Sequence, residues 1–211
     1  MAQFDAPALD AALRRATIVL PGETFLDAVV LPLWIGVIEE VRAGTLRATH
    51  RHLAFTALRR ALDRVTDMAA TPLASPDLVV STLSGPHEQL GALLVAAAAA
   101  AEGWKVTYLG PGLPAEDIAH AAALVGARAV ALSLGGAPNG RSASRELQQF
   151  RRLLPRGSAL IVEGAAAEVH ARVVRDAGAL VARDLAALRA HLGTLRSAGA
   201  DSAVRPPEQQ G

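Results

Sequence analysis

From Asp77 onward the chain repeats one pattern, a short apolar run followed by a helical run, and this alternation limits the fold more than any other feature. The stretch DLVVSTLSGPHEQLGALLVAAAAAAEGWKVTY, residues 77–108, holds the first full unit. An apolar strand over 78–81 ends in a small polar loop. The loop runs into an Ala-rich helix over about 86–102, and a second strand over 105–109 follows Gly103. The pattern predicts further strands at 129–133, 159–162 and 180–181, and helices at 114–126, 143–154, 167–177 and 184–195. Strict β–α alternation predicts a parallel sheet with helices on both faces.

Before residue 77 the period is helical throughout. Asp5 and Pro7 mark a helix start, and Leu9, Leu13, Ala16 and Leu20 share one face over 8–20. Phe25, Val29, Leu33 and Val37 do the same over 23–42, with Pro32 as an expected kink. Thr45 is read as the cap of a third helix that runs to about residue 70 through Leu46, Leu53, Ala57, Leu58 and Leu62. Three helices with short breaks make an up-down bundle. The fold class is therefore α/β: an N-terminal helical bundle (1–71), a Pro-containing linker (72–76), and a Rossmann-like (flavodoxin-like) doubly wound five-stranded parallel sheet (77–195). The polar tail 196–211 is expected to be disordered.

Composition removes several function classes. A net charge of +1 over 211 residues, with no Lys/Arg block, gives no surface for direct nucleic-acid binding. The absence of cysteine removes disulfides, thiolate metal sites and a Cys nucleophile, and fits a reducing cytoplasm. The N-terminus lacks the pattern of a signal peptide, and the longest apolar run, 90–101, is too short to span a membrane. No G-x-G-x-x-G follows the first strand, no Gly-Lys-Ser/Thr occurs, and G-x-S-x-G is absent. Ser84, Gly85 and His87 are too close in sequence to form a triad. Nothing indicates an enzyme.

Ligands of doubly wound sheets sit in the crevice at the carboxyl ends of the strands. Three loops reach that edge, 81–88, 133–136 and 163–166, and all are small and polar. Each alone is explained by turn chemistry; the three together favour a ligand crevice.

A helical bundle, a Pro linker and then VVSTLSGPHEQLGALLVAA, GWKVTYLGPGLPAEDI, ARAVALSLGG and LIVEGAAAEVHARVV resemble the cobalamin (vitamin B12)-binding module. The resemblance is greatest to the CarH/AerR-type light-responsive regulators. It is more distant to methionine synthase and corrinoid carrier proteins. It implies cofactor contacts from the first loop (Ser84, Gly85, His87, Glu88), from Ser133, and from Glu163 and Gly164. Counting back from Gly91 puts Glu88 where the family has a His below the cobalt, and Pro86 where it has an acid. His87 lies one residue early, about 100° around a helix start; a one-residue slip of the loop would make His87 the metal ligand. Ser133 stands where a Ser lines the nucleotide-tail pocket. Gly164 matches the second of two glycines under which the tail passes, and Glu163 replaces the first. In the bundle, Val41, Arg42, Arg51 and His52 take positions that cover the upper corrin face in the photoreceptors; of the family's residues there, only His52 is kept. Trp34 reads as a core or interface residue. His50 and His52 point about 200° apart on a helix and cannot easily face one ligand.

The resemblance implies a sensor acting through a regulatory protein partner, such as a transcription factor, without a DNA-binding domain ahead of its bundle. Its cofactor would be cobalamin held without the usual lower His, or another tetrapyrrole such as a bilin or haem. A corrinoid carrier subunit of a methyltransferase or mutase, and a cofactor-free interaction module, are the alternatives. Self-association as a homo-oligomer is left open by the apolar helix faces.

Overall fold

The computed structural model describes residues 5–69, 71–73, 75–82, 89–134, 140–164, 167 and 171–204. Helix α1 (Ala6–Val19) is capped by Asp5, whose Oδ1 accepts from the Ala8 N–H at 2.9 Å, and Pro7 occupies the first turn, where its missing donor costs nothing. Helix α2 (Gly22–Phe25) passes through a wide turn, Leu26–Val30, into α3 (Leu31–Arg42). There the Leu31 N–H reaches the Leu26 carbonyl, one residue further back than in an α-helix. Pro32 has no N–H to contribute, and the wide turn takes the place of a kink at that residue. Helix α4 (Ala48–Met68) begins three residues after Thr45, the expected cap. The Thr45 hydroxyl instead donates to the Glu40 carbonyl at 2.9 Å and closes α3. The start of α4 is closed by His50, whose Nδ1 accepts from the Arg47 N–H at 3.0 Å.

Five strands follow: β1 (Asp77–Thr82), β2 (Lys105–Tyr108), β3 (Ala129–Ser133), β4 (Ala159–Glu163) and β5 (Leu180–Ala182). All pairings are parallel, and the order is β2-β1-β3-β4-β5. This is the flavodoxin-like order, with its switch point between β1 and β3. The strand side chains alternate between two cores. Leu78, Val80, Ala129, Ala131 and Ile161 face one layer, and Val79, Val130, Leu132, Leu160 and Val162 the other. The second layer is made by α6 (Ala115–Leu124), α7 (Gly140–Leu153) and the helix Ala171–Asp176.

The first layer contains α5 (Gln89–Ala101) and the C-terminal helix, Leu185–Val204. Every residue of α5 from Leu90 to Ala100 except Gly91 is buried. Alanine is the strongest helix former, and its small side chain lets elements approach from both sides. One side of α5 is taken by the sheet and the other by α4, so that Phe25, Leu58 and Leu62 of the bundle share one continuous core with Val80 and Ala131 of the strands. A second tie is polar. The Arg189 guanidinium donates to both Asp27 carboxylate oxygens, at 2.8 and 3.2 Å, and lies 3.3 Å from Glu23, with its side chain only 11% exposed. This forked pair joins the C-terminal helix to the bundle.

The C-terminal helix corrects the expected boundary at residue 195. It continues to Val204, and Arg196 is anchored where a disordered tail was expected to begin. The Arg196 guanidinium donates to the Glu102 carbonyl, and the Arg196 carbonyl accepts from Arg128 at 3.4 Å. Polarity signals a solvated helix face as readily as a tail, and composition does not separate the two. Among the described residues no helix is long and apolar enough to cross a membrane.

Tyr108, the chain's only tyrosine, sits half-buried at the end of β2. Burial raises its pKa above 10.0; nearby Arg59 opposes this and Asp63 adds to it. A phenol whose folded pKa is raised favours the folded state below the unfolded value. That contribution is lost as the pH rises through the folded pKa. Ultraviolet titration is expected to show phenolate forming at higher pH in the native protein than in urea, with stability falling above about pH 10. Coincident native and denatured titrations would contradict the burial.

Candidate functional site

Thr82, Tyr108, Ser133, Glu163 and Ala182 end the five strands on one edge. The turn after β2 is fastened there. The Ser81 hydroxyl donates to the Gly110 carbonyl at 2.8 Å, and Thr82 Oγ1 accepts from the Gly112 N–H at 3.1 Å. The two buried hydroxyls thus hold GPG beside the crevice rather than binding anything themselves.

Two cavities flank the first turn of α5. The first, of about 170 Å³, lies between the bundle helices α3 and α4 and the start of α5, and is lined by Trp34, Ile38, Arg51, His52, Phe55, Gln89 and Leu90. Trp34 and Ile38 are one helical turn apart on α3, and His52 and Phe55 are three apart on α4, so each pair shares a face. The Trp34 and Phe55 rings meet at 6.2 Å with a 57° tilt, an edge-to-face type of contact that sets the aromatic wall. Among the described residues Arg51 pairs with no carboxylate. The cavity therefore combines an aromatic wall with a cationic rim.

The second cavity, of about 370 Å³, runs along the other side of α5. Its walls are Leu31, Leu94, Val95, Leu185 and Leu188, and Gly91, Glu163, Gly164, Arg183 and Asp184 stand around it. Gly91 packs against the ends of β3 and β4. A Cβ there would lie 2.6 Å from Ser133 Oγ and 2.8 Å from Glu163 Oε1. The space that glycine leaves is already filled by a hydroxyl and a carboxylate. Gly164 adopts φ +101, and a Cβ on it would lie 2.5 Å from the Leu134 carbonyl oxygen. The Leu134 N–H is in turn held by the Glu163 carbonyl at 2.8 Å.

Of the residues singled out in the sequence, Arg51 and His52 meet at the first cavity, and Ser133, Glu163 and Gly164 meet around Gly91 at the second. Arg42 lies on the far side of Trp34, in a shallow hollow with Ile35, Ile38 and Glu39, and Val41 lines neither cavity. Ser84, Gly85, His87 and Glu88 lie outside the described residues. Among the described residues no group of three or more His, Asp or Glu is placed to hold a metal ion. Trp34, Ile38, Phe55 and Gln89 were not singled out as site residues. The signal for three of them was the spacing itself, an i, i+4 and an i, i+3 pair facing each other across two helices.

A flavodoxin-like sheet whose helix α5 is covered by a helical bundle, with a cavity where bundle and α5 meet, places the chain among α/β proteins. The profile of the B12 binding domain matches residues 76–185, a little over half the chain. The chain belongs to the B12-binding domain family. It is 30% identical over 171 residues to the HTH-type transcriptional repressor CarH of Myxococcus xanthus, covering 81% of this chain and 56% of that protein. It is 28% identical over 187 residues to the repressor CarA of the same organism, covering 88% of this chain and 62% of that one. The chain thus spans less than two thirds of the length of either relative. Among solved structures, the monomethylamine corrinoid protein of Methanosarcina barkeri superposes with a TM-score of 0.65 at 16% identity, covering 90% of this chain and 95% of that one. That likeness extends to the fold.

Proposed function

We propose that the chain binds a cobalamin between bundle and sheet and acts as a regulatory module through a protein partner in transcriptional control. The cavity of about 170 Å³ between Trp34, Phe55, His52 and the first turn of α5 carries this reading. It lies against the first turn of α5, the helix that follows β1, in a chain of the B12-binding domain family. The aromatic wall offers a flat apolar face to a large macrocycle, and Arg51 and His52 offer donors to polar groups at its edge. When bound, the corrinoid would supply a coloured, light-absorbing cobalt centre. The protein's share is to enclose one face and to couple occupancy to the helices that form the lid. Similarity to CarH and CarA supports the regulatory role and a partner within a transcriptional system.

The test is a visible absorption spectrum of the purified protein after adding adenosyl- or hydroxocobalamin and desalting, in the dark and after illumination. A retained corrin spectrum is the expected result, and Trp34→Ala should weaken retention about tenfold. A haem or bilin spectrum would reassign the cavity to another tetrapyrrole. A colourless protein after every addition would sink the cobalamin reading.

A further inference from the structure

We infer that Arg189 is a positioning residue for the cavity between α3, α4 and α5. By gripping Asp27 it keeps the wide turn Leu26–Val30 in its winding, and that winding aims Trp34 at the cavity. This rests on the reading of that cavity as the ligand site.

In a regular α-helix, residues seven apart lie within about 20° of each other around the axis. Asp27 and Trp34 are seven apart in one unbroken helical run, from α2 through the wide turn into α3. Regular winding would therefore put both side chains on one face. The structure sends them to different neighbours. Asp27 meets Arg189 of the C-terminal helix, at 2.8 and 3.2 Å. Trp34 meets Phe55 of α4, with 6.2 Å between ring centroids. The wide turn reconciles the two. Its hydrogen bond closes five residues back instead of four. That takes up one extra residue and sets the rest of the helix back by about 100°.

Turns of this kind are rare, and both sides of this one are fastened. Leu26 and Val30 are fully buried and fix its inner side. Pro32 excludes an unbroken ladder, but a kink would serve it as well as a wide turn does. The outer side is fastened through Asp27. Arg189 takes both carboxylate oxygens, lies 3.3 Å from Glu23 one turn earlier, and is only 11% exposed. A fork fixes direction as well as distance. Helix α3 itself resists turning little: Val37 is its buried residue, and Ile35 is half exposed. With Asp27 released, α3 can turn toward regular winding with a kink at Pro32, and Trp34 then leaves Phe55 and the cavity.

The test needs no ligand in its first arm. The chain has two tryptophans, and Trp104 is fully buried. Acrylamide quenching of tryptophan fluorescence therefore reads Trp34, with Trp34→Phe as the background. Arg189→Met is expected to raise this quenching. In the second arm it should weaken retention of hydroxocobalamin about tenfold, as much as Trp34→Ala does. Asp27→Asn, a milder change to the fold, should give the same two effects, and the double variant no more than either alone. In the Trp34→Ala background Arg189→Met should cause no further loss. Arg196→Met removes the anchor at the other end of the same helix and should leave Trp34 quenching unchanged.

Unchanged quenching in folded Arg189→Met and Asp27→Asn would overturn the role given to Arg189. So would an equal rise in Arg196→Met, or raised quenching with undiminished retention. Each of these leaves the cobalamin reading standing. Raised quenching in a protein whose wild-type form retains no corrinoid would remove the cobalamin reading and uphold the grip of Arg189 on Trp34.

Discussion

Replacing Gly164 with valine is expected to lower stability by about 4 kcal/mol, a large share of what a domain of this size has to lose. Two costs add. A β-branched residue at φ +101 is strained in isolation, by about 1–3 kcal/mol. The added Cβ would also lie 2.5 Å from the Leu134 carbonyl oxygen and 3.0 Å from its carbon. That neighbour is backbone, and it cannot swing aside as a side chain would. Leu134 is held to the end of β4 by its own N–H bond to Glu163, so yielding would open the β3–β4 junction. Gly126→Ala is the matched control. Gly126 also has positive φ, +63, but nothing lies within 4 Å of its added Cβ, so it should lose only about 1 kcal/mol. Urea unfolding of the two variants separates clash from backbone strain. Equal midpoints would mean that the Leu134 contact is not a constraint.

The second large effect is expected at Ala98, in the middle of α5. Ala98→Leu adds three carbon atoms at a fully buried site, in a helix pressed between the sheet and α4. Overpacking of this kind costs about 1–3 kcal/mol in an ordinary core, and the upper end applies because both walls are regular elements that move only as wholes. Leucine is nearly as good a helix former as alanine, so propensity offsets almost none of it. The same change at Ala123, exposed on α6, should stay within about 0.5 kcal/mol. Thermal unfolding of both variants tests this. A neutral Ala98→Leu would mean that the bundle stands off the sheet rather than packing on α5.

Much of the fold was legible because the strands and helices differ in period. Leu78, Val79 and Val80 are a short apolar run bounded by loop residues, and a strand buried on both faces in a parallel sheet needs just that. What sequence could not show had local competitors of similar strength. Thr45 is a good helix cap, but its hydroxyl satisfies the end of α3, and His50 takes over at α4. Residues after Leu195 read as a tail because they are polar, yet Arg196 is anchored by Glu102, a residue far away in the chain. Such long-range partners leave no trace in a window of a few residues. The site divides along the same line. That Ser133, Glu163 and Gly164 stand at strand ends was legible because strand ends are predictable. That Trp34 faces His52 depends on how α3 is rotated against α4, which follows only from packing.

The bundle and the sheet give the chain an apparent two-part plan, with prolines between the parts. The shared wall along α5 makes that division misleading. A half-open state, with the bundle released, would strip one side from a helix made almost entirely of leucine, valine and alanine. Water would then meet a sticky ridge about 20 Å long, well suited to finding the same ridge on another molecule. The forked Arg189–Asp27 pair and the common core keep that ridge covered. For a protein of this plan, a closed cap is what keeps one copy from adhering to the next.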